Sequence, residues 1–178
     1  AGFYKIEVVR GTLSDPVIDL RSGACNGTNI ACADTNNATE SITIELSAGT
    51  EYSYRVYNNG NSLGDGTFTT SVTTVPTITV NPTSLAFGDV SVTTDSAVKT
   101  FTAKASLLTS ATGNIDIASP TSYQLSLDGS TGWASTLSFP YIGSTLAETT
   151  IYAKLTPDVC GDYNGNITVS GGGATTAN

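Results

Sequence analysis

The residues of this chain that could take part in chemistry are its carboxylates, its hydroxyls and three cysteines, because no histidine occurs in its 178 residues. Histidine is the usual general base and the usual partner of a nucleophilic serine or cysteine. Glycoside hydrolysis would instead need two carboxylates held about 5–10 Å apart, one of them with a raised pKa. The acids here are isolated and lie mostly on the polar faces of short alternating segments, so we expect no catalysis.

Four acids near the start of the chain are candidate calcium ligands, because hard cations take carboxylate oxygens from loops. They are Asp15, Asp19, Asp34 and Glu40, which could gather at one end of a first domain. No Asp-x-Asp-x-Asp loop accompanies them, so the alternative is that they are solvated turn acids. We expect no other metal or cofactor.

Two of the three cysteines are spaced for a disulfide. Cys25 and Cys32 flank the turn signal Asn26-Gly27, which could bring the thiols together across a short hairpin or loop. A disulfide would place the protein in an oxidising compartment, whereas the alternative is two reduced cysteines. Cys160 is left over, and we expect a small buried residue there.

Two aromatic residues are candidate ligand contacts. Trp133 follows a turn and Tyr141 lies close behind it, so their rings could offer a flat face to a sugar or a polymer. The alternative is that both rings are core residues, since a β-sandwich also needs large side chains inside.

Charge and hydropathy exclude two kinds of partner. The net charge is −8 and only 12% of the residues are charged, so the surface is polar and weakly acidic and would repel nucleic acid. No apolar run approaches the roughly 20 residues of a membrane-spanning helix.

The elements that must position these residues are short strands. Thr, Val, Ile and Tyr alternate with polar residues, as in residues 3–9, 41–46 and 150–155, and Gly, Asn and Pro separate the runs. No segment has an apolar period of 3.6 residues with capping residues. The sequence therefore predicts an all-β protein with almost no helix, built as two consecutive antiparallel β-sandwiches.

A Thr/Pro segment at residues 73–77 predicts the boundary between the two domains. It would be a short, semi-extended linker between residues 1–74 and residues 75–178. Strands are expected on both sides of it, including residues 82–88 and 163–169, and the Gly-rich tail from residue 171 is expected to begin a last edge strand.

The first domain resembles the bacterial pre-peptidase C-terminal domain, which is a jelly-roll-like sandwich. The matching pieces, in order, are DPVIDL at 15–20, SGAC at 22–25, IAC at 30–32, LSAGTEY at 46–52 and RVY at 55–57. The resemblance implies opening strands that these residues do not include.

The second domain resembles the immunoglobulin-like repeats of large bacterial surface proteins, of the choice-of-anchor or ASPM-SPD-Hydin type. Its matching pieces are ITVNPTSLAFGDV at 78–90, SLDGSTGW at 126–133 and GDYNGNITV at 161–169. The resemblance implies a last strand that continues past residue 176, export by the type IX route, and O-glycosylation at Asp95-Ser96-Ala97, with Ser96 as acceptor.

Together these features predict a non-catalytic structural or adhesive module of a bacterial surface or secreted protein. It would serve as a stalk, spacer or fibre subunit, whose partners are other domains of the polypeptide or neighbouring subunits that complete its sheets. The alternative is a module of a secreted hydrolase that binds carbohydrate, or a host or matrix protein.

Overall fold

The computed structural model describes residues 2–35, 38–59 and 66–178, and the regular structure in these ranges is β-strand alone. The prediction of an all-β chain is therefore confirmed, with every strand pair antiparallel. Among the described residues there is no helix long and apolar enough to cross a membrane.

The chain forms two compact units, which comprise residues 1–75 and 76–178. Residues 73–75, expected to belong to a linker, are instead the end of a strand that pairs Val75 with Phe3. The physical reason is that Thr and Val favour a pleated strand wherever a partner lies alongside.

The described part of unit 1 contains six strands in two three-stranded sheets. They are β1 (Gly2–Arg10), β2 (Pro16–Ser22), β3 (Thr28–Ala33), β4 (Thr39–Leu46), β5 (Tyr52–Asn58) and β6 (Phe68–Val75). The sheet orders are β4-β1-β6 and β3-β2-β5, with β1 and β2 in the centre. Alternate residues of these strands face inward and form one core, which includes Ile6, Val8, Ile18, Leu20, Ala33 and Ile42.

Unit 2 contains eight strands in two four-stranded sheets. They are β7 (Thr77–Asn81), β8 (Lys99–Ser106), β9 (Thr112–Ala118), β10 (Tyr123–Ser126), β11 (Thr136–Ile142), β12 (Leu146–Leu155), β13 (Thr168–Gly171) and β14 (Ala174–Ala177). The orders are β10-β12-β8-β7 and β11-β9-β13-β14. The larger core between them contains Phe101, Ala103, Ala105, Leu108, Ile115, Ile117, Leu125, Phe139, Tyr141, Ile151, Ala153 and Val169.

Three segments differ from the sequence prediction. Residues 82–88 and 163–167, expected to be strands, are not paired into either sheet. Leu85 and Phe87 still turn inward against the core, so the alternation is kept without a neighbouring backbone. Conversely, residues 28–33, expected only to belong to a short hairpin or loop at the cysteines, form β3.

The tail forms the predicted edge strand. Gly172 and Gly173 both have positive φ, at 58° and 78°, and they connect β13 to β14 in a two-residue turn. Positive φ at both positions defines the type I′ hairpin, which glycine adopts without steric cost. Next to this turn Gly171 lies opposite Ala174, and an irregularity in the pairing then shifts the register so that Val169 lies opposite Ala177.

The two cores give a direct stability test. Ile18→Ala in unit 1 should lower the free energy of unfolding of that unit by about 2–5 kcal/mol, because it leaves a cavity in a well-packed core. Trp133, the only tryptophan, lies in unit 2. The loss should therefore appear in far-UV circular dichroism and leave the tryptophan fluorescence transition in place.

The matched control is Ile142→Ala, where the side chain is 79% exposed. It should change stability by less than about 0.5 kcal/mol. A fluorescence transition that shifts with Ile18→Ala would contradict the assignment of separate cores.

Candidate functional site

A cluster of charged side chains is centred on Asp19, in the middle of β2. The carboxylate of Asp19 is buried, and its arginine partners are partly exposed. Its neighbours Ile18 and Leu20 point into the core, so alternation directs Asp19 to the outer face of the sheet. Asp19 is nevertheless only 3% exposed. A carboxylate removed from water to this extent must be paired.

The pairing groups come from all three strands of the sheet. Arg21 of β2 donates through Nε and Nη2 to Oδ2 of Asp19, at 2.9 and 2.8 Å. Arg55 of β5, directly opposite Asp19, donates to the same oxygen, through Nε at 2.8 Å and through Nη2. Asn29 of β3 donates to Oδ1. The cluster therefore ties β3, β2 and β5 together on the face away from the core.

The arginines keep Asp19 ionised. Hydrogen bonds from Arg55, and then from Arg21 and Asn29, outweigh the effect of burial and lower the pKa of Asp19 from 3.8 to about 2. A carboxyl group with this pKa holds no proton near neutral pH, so it cannot serve as a general acid there.

One arm of the cluster reaches solvent. The Arg55 side chain is 48% exposed, and its guanidinium lies 5.8 Å from the ring centre of Tyr57. Tyr57 is itself 46% exposed. Such a cation–π contact orients the guanidinium and contributes on the order of 0.5–1 kcal/mol at an exposed site.

The four candidate calcium ligands do not form a site. Asp19 is taken by the two arginines, while both oxygens of Asp34 accept from Nδ2 of Asn59 at 3.2 Å. Glu40 is fully buried and accepts from Thr35. Asp15, before β2, gathers with none of them: no group of three metal-binding side chains occurs in the described ranges. The expectation that these acids gather is therefore wrong, because strand β2 directs Asp19 away from the loops.

The three cysteines are free and exposed. The amide of Gly27 donates to the carbonyl of Ala24 at 2.7 Å, so Cys25 lies within the turn and does not face Cys32 across it. On β3, Cys32 lies opposite Asp19 of β2. Both thiols are free, so the structure does not contain the predicted disulfide. Cys160 is exposed, so the expectation that it is buried is wrong.

Trp133 lies beside a charged pair. The ammonium group of Lys154 is 4.6 Å from the centre of the indole ring and donates to Asp95 at 2.7 Å. Hydrogen bonds from Lys154 and Thr156 lower the pKa of Asp95. The indole is half-buried, and a cation already lies over its ring.

Tyr141 does not present a ring to solvent. Phe139 and Tyr141 face inward on β11, and Tyr141 is 4% exposed within the core. It lies opposite Gly113 of β9, where a Cβ atom would come within 2.6 Å of the Tyr141 hydroxyl. The prediction that Tyr141 contacts a ligand is therefore wrong, and its alternative as a core residue is right.

Ser96, the predicted acceptor of a glycan, is half-buried next to the end of β12. Its hydroxyl accepts from the amide of Leu155 at 2.9 Å and donates to the carbonyl of Ala97 at 3.0 Å. Its own amide donates to the carbonyl of Leu155. Glycosylation at Ser96 stays a prediction, and it would have to disturb these bonds.

The sequence did not identify the residues that pair with Asp19 and with Trp133. Asp19 and Arg21 are two residues apart in a strand, so their shared face was accessible to a periodicity argument. The pairing of Arg55 with Asp19, and of Lys154 with Trp133, depends on which strands become neighbours, and no local pattern contains that information.

No protein-family model, curated protein or solved structure matches the chain. The resemblances to the pre-peptidase C-terminal domain and to immunoglobulin-like repeats therefore stay predictions.

The Asp19 cluster predicts acid sensitivity. Because the pKa of Asp19 is lower in the folded state than the ordinary 3.8, its contribution to stability is present above about pH 4 and is lost as the pH falls through about 2. Asp19→Asn should lower the free energy of unfolding of unit 1 by about 2–3 kcal/mol at pH 7. It should also remove this part of the pH dependence, measured by denaturant unfolding with circular dichroism.

Glu45→Gln, at an exposed position on β4, is the matched control for loss of a carboxylate in the same unit. If both variants keep the pH profile of the unaltered chain, Asp19 does not carry the acid sensitivity.

Proposed function

We propose that the chain is a non-catalytic structural or adhesive module of a larger bacterial surface or secreted protein. In this role it is a stalk, spacer or fibre subunit, and its task is to hold neighbouring parts at a distance and to carry load. The resemblance of its two segments to modules of exported bacterial proteins supports this assignment.

One observation about its carboxyl groups carries the proposal. Among the described residues, every carboxyl group whose pKa departs from its ordinary value is shifted downward. These groups are Asp19, Asp95, Asp128 and Asp158. Each is held by hydrogen bonds within its own unit, so the chemistry that these acids could supply is used to fix strands and turns.

The turn at Asp128 illustrates this use. Asp128 accepts from the amides of Ser130 and Thr131 at 2.8 and 2.7 Å, and also from the hydroxyl of Thr131. Ser126 is fully buried and donates to the carbonyl of Thr131 at 2.6 Å. A polar network that closes on itself in this way stiffens a loop and leaves few groups for a substrate.

Open sheet edges support the fibre version of the proposal. β6 is the end strand of its sheet, and among the described residues no strand pairs with its outer side. Phe68 and Val72 on β6 are 41% and 52% exposed. An edge with unpaired backbone and apolar side chains can accept a strand from a neighbour.

In an extracellular compartment, the exposed thiols of Cys25 and Cys32 would be open to oxidation.

Force spectroscopy tests the load-bearing role. When the full chain is pulled between its ends, we expect two unfolding events, because each unit has its own core. At about 3.6 Å per residue, residues 1–75 and 76–178 should release about 27 and 37 nm of chain. A smooth extension with no force peak would contradict a load-bearing module.

The alternative is a module that binds carbohydrate or matrix protein, and Trp133 is the residue on which it depends. Under the structural proposal, the chain should not be retained on insoluble polysaccharides, and Trp133→Ala should migrate as the unaltered chain does in affinity electrophoresis. Tyr57→Ala, which removes another partly exposed ring, is the control. Retention that Trp133→Ala abolishes would favour the binding module.

A further inference from the structure

A groove in unit 2 runs between two extended segments that belong to neither sheet. One wall is residues 82–90 and the other is residues 161–167. Among the described residues, neither wall makes a backbone–backbone hydrogen bond, and the carbonyl of Tyr163 accepts from the hydroxyl of Tyr123 at 2.6 Å. The space between the walls has two parts. One, of about 540 Å³, lies beside residues 85–90 and 161–164, and the other, of about 100 Å³, lies beside residues 82–85 and 165–167; Leu85, Phe87 and Tyr123 line both.

The walls present two kinds of binding group. Leu85, Phe87 and Ile167 are half-buried against the core and supply apolar surface at alternate positions. The backbone amides and carbonyls between them supply donors and acceptors. Backbone that has no strand partner along both walls favours an occupant that itself carries a regular row of donors and acceptors, which an extended strand does.

The hairpin of β13 and β14 gives the direction of such a strand. Val169 lies opposite Ala177. A continuation of β14 in that antiparallel register would pass residues 167, 165 and 163. Asn178 already lines the smaller cavity together with Gly165 and Ile167. A strand that begins where β14 ends would therefore lie antiparallel to residues 163–167, inside the groove.

The charge of the groove narrows the choice of occupant. Its charged lining residues are Asp89 and Asp162, both exposed at the rim, and no Lys or Arg lines it. In a chain with a net charge of −8, this rim repels acidic segments and attracts basic ones.

We propose that the groove binds an extended strand of another protein molecule, a segment with apolar side chains at alternate positions and a basic residue at the rim. The strand extends this sheet in line with β14, with its backbone paired to residues 163–167 and its apolar side chains against Leu85 and Phe87. This inference rests on the proposed structural role, in which one subunit completes the sheet of the next.

The test uses the full chain and the peptide Lys-Thr-Val-Thr-Val-Thr-Val-Thr. Hydrogen exchange should show added protection at residues 163–167 when the peptide binds, because their amides gain strand partners. The control peptide Lys-Thr-Thr-Val-Val-Val-Thr-Thr has the same composition and charge without the alternation. It should bind at least tenfold more weakly, measured by isotope-detected NMR titration.

Variants of the groove connect binding to its walls. Phe87→Ser should weaken binding of the peptide at least tenfold, whereas Ile142→Ser, at a 79% exposed position, should leave it unchanged. Since Phe87 contacts the core, Asp162→Lys at the rim provides a second test that spares packing. It should weaken the Lys peptide and strengthen a peptide in which Glu replaces Lys.

Three results would overturn the proposal: equal binding of both peptides, protection that falls outside residues 163–167, or no binding at millimolar peptide. A further arm places the alternating strand directly after Asn178. If this fused strand protects residues 163–167 while the free peptide does not bind, the groove is completed within one molecule and not by a second one. The force and polysaccharide measurements do not depend on this groove, so the module role can stand if the groove binds nothing.

Discussion

The pairing of backbone groups between antiparallel strands is the constraint on which this structure depends. With no helix in the described ranges to satisfy its own amides and carbonyls, each segment needs a neighbour. The central strands β1 and β2 obtain two neighbours each, and the end strands obtain one. Residues 82–90 obtain none. The number of neighbours that a segment obtains decides whether it becomes a central strand, an edge strand or a segment outside both sheets.

The inside and outside of unit 1 are stabilised by different forces. Three-stranded sheets enclose a small apolar core, and burial of that core is non-directional. The Asp19 cluster adds directional bonds on the opposite face, where one carboxylate joins side chains from three strands. Because these bonds require one register of the three strands, they favour this pairing over other registers.

The period-two pattern of the sequence was sufficient for the fold class and for most strands, since alternation is a local property that each segment carries by itself. It failed at residues 82–88, which alternate correctly and yet have no neighbour. It also did not identify the strand at residues 28–33, where a short hairpin or loop was expected. Pairing is a property of two distant segments, so a pattern within one segment does not determine it.

The candidate sites also divide into features that a local sequence pattern contains and features that depend on pairing between distant segments. Tyr141 could not be distinguished from a surface aromatic by type and spacing, and its burial became clear only from its position across from Gly113. Asp19 could be placed on a strand, but its arginine partner on β5 could not be identified from the sequence. Turn chemistry was more accessible, because the bonds of Asp128 reach no further than five residues along the chain.

The contact between Gly113 and Tyr141 has an evolutionary consequence. The phenol ring occupies the space that a side chain at position 113 would need, with 2.6 Å left to a Cβ atom. A substitution at either position therefore creates a clash or a hole unless the other position changes with it. Distant homologues of this chain should therefore either keep a glycine and a large aromatic residue at these two positions or change both residues together.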